Sequence, residues 1–153
     1  MTPVREGIVA RVKTELEAIN GTSPYTTTIE QVKRNLTSAG GVLMAAGNPG
    51  ILIIDKGDEP DAVASHQERS YNMNLTLALS VTMQPGESTT ATELNAFVAD
   101  AIYAMTNPDN RTHNSTCLHT DHKGTTLFVV EGDSYAWALV DFQILYVNTW
   151  TAP

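Results

Sequence analysis

The sequence predicts a single α+β domain over residues 1–153, a mainly antiparallel β-sheet with two helices packed on one face. Three patterns predict it: strict two-residue apolar alternation over 71–83, and helical apolar stripes over 4–19 and 94–105.

The first stripe is Val4, Ile8, Val9, Val12, Leu16 and Ile19, with Arg5, Glu6, Lys13, Glu15 and Glu17 on the other sides. Pro3 suits the first helical position, Thr2 the N-cap, and Asn20-Gly21 a left-handed stop. Next comes a Thr-rich segment, residues 25–36. Its threonines favour a strand, whereas Ile29, Val32 and Leu36 also fit a helical step, so that remainder stays open. Gly40-Gly41 and Gly47-Asn48-Pro49-Gly50 break the chain. A short strand is expected at 51–56, ended by the acidic turn Gly57-Asp58-Glu59-Pro60-Asp61.

In the long strand, Tyr71, Met73, Leu75, Leu77, Leu79, Val81 and Met83 take every second position. Polar or small residues lie between them, as in a sheet covered on one side. At about 3.3 Å per residue it runs roughly 43 Å, long enough to project beyond a small core and invite a partner. Asn72, Asn74 and Thr76 on its polar side are candidate contacts for another copy. Pro85-Gly86 turns the chain. A second helix starts around Thr90, where Thr90 and Glu93 have capping-box spacing, and Asn107-Pro108 stops it. A polar loop is expected over 107–125, then a hairpin of strands 126–131 and 135–148 joined at Gly132-Asp133-Ser134. Apolar parity changes between Tyr135, Trp137, Leu139 and Phe142, Ile144, Tyr146, which predicts a β-bulge near Asp141.

Composition narrows the function. Seventeen Asp plus Glu against nine Lys plus Arg give a net charge of −8, which argues against a basic nucleic-acid clamp. No apolar run approaches the roughly twenty residues of a membrane span, and no signal peptide is expected at the N-terminus. Cys117 is the sole cysteine, in keeping with a reducing compartment. Asn35-Leu36-Thr37 and Asn114-Ser115-Thr116 read as accidents of a Thr-rich chain rather than glycosylation sites.

Four residues in one loop invite a metal reading: His113, Cys117, His119 and His122, with Asp121 beside them. Imidazole and thiolate are good zinc ligands, but the spacing lacks the paired knuckles of finger motifs. Surface or hydrogen-bonding histidines are the plainer reading. Cys117 and His119 as nucleophile and base is a weaker alternative, because neighbours two apart rarely face each other. Asp55, Asp58, Glu59 and Asp61 read as solvated turn residues without a calcium-loop pattern. Asp100 and Asp141 read as paired structural carboxylates. No phosphate-binding glycine motif and no His-Glu-x-x-His occurs. No enzyme activity and no cofactor is expected.

The order of elements resembles the tail terminator, or tail completion, proteins of long-tailed bacteriophages. The resemblance rests on the opening helix Val4-Arg5-Glu6-Gly7-Ile8-Val9-Ala10-Arg11-Val12, the region from Tyr25-Thr26-Thr27 to Val32-Lys33-Arg34, and the alternating strand 73–83. It also rests on the second helix around Val98-Ala99-Asp100-Ala101-Ile102 and the closing strand 141–147. It implies a homo-oligomeric ring, commonly a hexamer, at the head-proximal end of the virion tail, assembled in the host cytoplasm. Its partners would be the tail tube protein and a neck or head-completion protein, with DNA passing through the lumen without specific binding. A head–tail connector or neck protein is the alternative, with a small zinc-dependent enzyme behind it.

Overall fold

The computed structural model describes residues 3–35, 49–63, 68–83, 87–114, 116–129 and 134–149. Thr2, Leu36, the breakers at 40–41 and 47–48, His66, Pro85-Gly86 and the turn residues 132–133 lie outside the described residues.

The chain runs α1 (Val4–Glu17), β1 (Gln31–Asn35), β2 (Gly50–Val63), β3 (Glu68–Thr82), α2 (Glu87–Thr106), β4 (His119–Phe128) and β5 (Tyr135–Thr149). The strands form one sheet in the order β1-β2-β3-β5-β4, antiparallel except for the β1–β2 pair. This is the α+β architecture expected, and period-two alternation is its physical origin. Met73, Leu75, Leu77, Leu79 and Val81 point to one face, joined by Ile51 and Ile53 of β2 and the even positions of β5 from Ala136 to Tyr146. Ile8, Val9, Val12 and Leu16 of α1, with Leu94, Phe97, Ala101 and Met105 of α2, close the same core. At roughly 25 cal/mol per Å² of apolar area, this burial dominates the stability of the fold.

Several boundaries differ from the sequence expectation. Pro3 is the N-cap of α1 rather than its first residue, and its carbonyl accepts the Gly7 N–H. The helix ends at Glu17, before the Asn20-Gly21 stop. Gly21 does adopt φ 75°, in a turn that returns the chain so that Asn20 bridges Thr28; a side chain there would strike the Thr28 hydroxyl. The threonines are not a strand, because Asp100 takes the backbone N–H groups of Thr26 and Thr27; β1 begins at Gln31 instead. Thr90 lies inside α2, buried, so it is no N-cap.

The acidic turn is corrected as well. Residues 57–61 continue β2, with a register shift between Asp55 and Asp58 at Gly57, φ 97°. Likewise the loop after α2 stops at Leu118, because β4 starts at His119. The bulge expected in the last strand lies in its neighbour. β5 pairs with β3 without interruption from Tyr135 to Thr149, whereas β4 carries the extra residue between His122 and Gly124, opposite Phe142 and Asp141. The parity change in β5 arises because Trp137 and Leu139 pack with Leu52, Ile54 and Ala78 on the face away from the helices.

Candidate interaction surface

The four metal-ligand candidates do not converge. Thr120 registers with Ile144 and His122 with Phe142, so those side chains turn toward the helix-covered face; His119 and Asp121 turn the other way. His119 Nε2 pairs with Asp121 at 2.6 Å, about half exposed, and His122 lies 2.9 Å from the Thr125 hydroxyl beside the Phe142 ring. Among the described residues no group of three His, Cys, Asp or Glu side chains could hold a metal ion.

His113 has a different setting. It is fully buried, with Nδ1 2.5 Å from Glu15 Oε2 and Nε2 2.9 Å from Thr120 Oγ1. Glu15 also accepts from Arg11 Nε at 3.1 Å. The Thr120 hydroxyl donates its one proton to the Arg111 carbonyl at 2.8 Å. Carboxylate, imidazole and hydroxyl thus stand in the order of a nucleophile relay. Yet the hydroxyl proton is committed to a carbonyl, and Glu15, His113 and Thr120 are all buried. Cys117 sits alongside, its thiol pushed up by burial against an opposing Thr120 contact, the reverse of an activated nucleophile. What the cluster does is fasten residues 107–118 to α1 and β4. His113 and Asn114 there hold φ 45° and 60°, a conformation that needs such fastening.

Asp100, Asp55 and Asp58 are paired. Asp100 Oδ2 accepts from Thr26 N, Thr26 Oγ1 and Thr27 N at 3.1, 3.2 and 2.8 Å. Asp55 and Asp58 are not solvated turn residues. Arg5 at the start of α1 donates two hydrogen bonds to Asp55 and one to Asp58 at 2.8 Å, and the Tyr146 hydroxyl donates to Asp58 at 2.7 Å. Burial pushes Asp55 up, but Arg5 and the Gly57 N–H outweigh it and leave the carboxyl below its usual range. This clamp spans α1, β2 and β5, and sequence reading missed it because Gly57-Asp58-Glu59-Pro60 has turn composition. Only the isolated Arg5 beside a hydrophobic stripe hinted at a distant partner.

Asn72, Asn74 and Thr76 lie on the face of β3 away from the helices. Thr76 is buried and donates to Asp141 Oδ1 at 2.5 Å, and Lys56 Nζ stands 3.7 Å from the same atom. Lys56, Asn74, Thr76, Lys123 and Asp141 border a shallow depression of about 200 Å³. However, β3 is the central strand, flanked along its length by β2 and β5, so it has no edge for a neighbour. The overlong strand does not project alone; β2 and β5 run out beside it. Among the described residues the outermost strands are β1 and β4, with β2 beyond Ile54 and β5 beyond Leu145 running past them.

The two edges differ. β1 is five residues long and carries Lys33 and Arg34, a combination that discourages pairing. The first half of β4 is similarly guarded by its bulge and by His119, Asp121 and Lys123. Its far half is not: Leu127 and Phe128 are 47 and 45% exposed, and Val129 just past the strand is 36% exposed. Phe128 stands opposite Trp137, whose ring neighbours Tyr135. A cleft of about 460 Å³ between Thr26–Thr28, Val81 and Glu93 adds polar hydroxyls but one carboxylate only.

The chain is therefore an α+β protein with one sheet face under helices, an outer face part polar and part apolar, and two unlike edges. No helix among the described residues is long and apolar enough to cross a membrane. No family model matches the chain, and no curated protein is significantly similar to it in sequence.

Proposed function

We propose that this chain is a structural subunit of a ring that caps the tail tube of a long-tailed bacteriophage. The ring ends tube polymerisation and offers a different upper face to the neck or head-completion protein. The observation that carries the reading is the order α1, β1, β2, β3, α2, β4, β5, in which a fifteen-residue strand precedes the second helix and a hairpin closes the chain. That is the order on which the resemblance rests.

Two further features support it. The two outermost strands, β1 and β4, are unlike, and ring closure needs two different patches that meet head to tail. The acidic balance, −8, suits a lumen through which DNA slides without binding. The subunit works by shape and binding, at the head-proximal end of the tail.

Tube elongation tests this. Purified tail tube protein polymerising from a tail tip should stop growing when the chain is added, at a stoichiometry of one ring per tube end. Tubes that elongate unchanged, with none of the chain at their ends, contradict the proposal. Binding to filled heads but never to tubes would make it a neck protein instead.

A further inference from the structure

The association that the ring reading requires has a definite place in the fold, and the inference about that place rests on that reading. We infer that residues 125–128, the uncharged half of β4, with Val129 just past its end, are where a second copy of this chain adds an extended strand.

An edge strand presents unpaired N–H and C=O groups, and proteins that stay single blunt such edges with charge, bulges or brevity. Here two of the three stretches on the outermost strands are blunted. β1 is short and carries Lys33 and Arg34. The first half of β4 has the extra residue between His122 and Gly124, with Lys123, Asp121 and His119 around it. The remaining stretch reads Thr125-Thr126-Leu127-Phe128-Val129: β-branched or large apolar residues, with no charge, proline or glycine. It is regular, in unbroken register with β5 from Gly124 to Phe128.

Exposure falls on both faces of that edge. Leu127 registers with Ala138 of the helix-covered face, and Phe128 with Trp137 of the outer face. An incoming strand would cover both side chains, whereas a contact on one sheet face would cover only one. Together with Val129 and Tyr135 they expose apolar area on the order of 300 Å², the size of patch that marks interaction sites. A stable contact buries about 800 Å² per partner, so this patch serves as its apolar centre with the polar outer face as rim. Charge does not oppose that place: two copies at −8 repel over most of their surfaces, but this stretch carries no carboxylate.

The test uses the full chain with Leu127→Lys and Phe128→Lys, and Asn95→Lys on the exposed side of α2 as a charge control. Sedimentation across a concentration series should show both edge variants weakened in self-association by roughly tenfold or more, with the control within about twofold. Loss in Phe128→Lys alone points to face packing and overturns the inference; so does wild-type association in both. If the variants do not fold, hydrogen exchange of the wild type decides. Amides of 125–129 should gain protection on association, and unchanged exchange there overturns the inference while a ring may still form. A species that stops at two copies and is lost in both variants keeps the edge assignment and overturns the ring. A chain single at every concentration, on tail tubes as well as off them, overturns both. Protection of these amides only by tube or neck protein assigns the edge to that partner and also overturns the inference.

Discussion

His113 Nδ1 and Glu15 Oε2 lie 2.5 Å apart inside the protein although ninety-eight positions separate them in sequence. Neither side chain reaches solvent to a useful extent, so the pair joins the post-α2 loop to α1 rather than meeting a substrate. Removing one partner strands the other in a low-dielectric interior. His113→Ala should therefore lower the unfolding free energy by about 3 kcal/mol in urea denaturation. A change below about 0.5 kcal/mol would mean that the pair is not formed.

Asp100 secures the Thr-rich segment through three donors. Asp100→Ala leaves the Thr26 and Thr27 amides without that acceptor and should cost about 2 kcal/mol. Hydrogen exchange should rise at those two amides before it rises in the strands. Equal exchange in variant and wild type would contradict the assignment.

The Arg5 clamp gives stability a direction in pH. Asp55 is held below its ordinary 3.8 in the folded chain. A depressed carboxyl contributes stability that is fully present above its unfolded value and lost as pH falls through its folded one. Acid titration of stability should thus show a decline below about pH 4 that Asp55→Asn shrinks, with the variant less stable at neutral pH. An Asp55→Asn variant with an unaltered acid limb would count against the clamp.

Burial of Cys117 predicts a slow thiol. It is 7% exposed and its thiol is pushed up by burial, so alkylation at pH 8 should run roughly a hundredfold slower in the native chain than in denaturant. Rapid native labelling would contradict the packing of residues 107–118.

Much of this was legible in the sequence and some was not, for physical reasons. The alternation of Met73, Leu75, Leu77, Leu79 and Val81 identified the central strand because one face is buried and the period is two. The stripe of Leu94, Phe97, Ala101 and Met105 identified α2 by the same logic at 3.6. β5 was misread because its other face also holds apolar residues, Trp137 and Leu139, so parity lost its meaning and suggested a bulge. Polar loop composition hid β4, whose His119, Asp121 and His122 are the residues of a charged edge. The pairs Glu15–His113 and Arg5–Asp55 were invisible because contact between distant positions leaves no local periodicity. Asn72, Asn74 and Thr76 were singled out from the strand's length, which it shares with its neighbours, so a contact there would be made through the outer sheet face and not through an edge.

The central claim is that copies of this chain close into a hollow ring. Mass measurement in solution, followed by negative-stain imaging with and without tail tubes, tests it most directly. The account predicts one closed oligomer, commonly six subunits, seen as a ring with an open centre seated on tube ends. A chain that remains a single subunit at every concentration, and leaves tube ends bare, would contradict it.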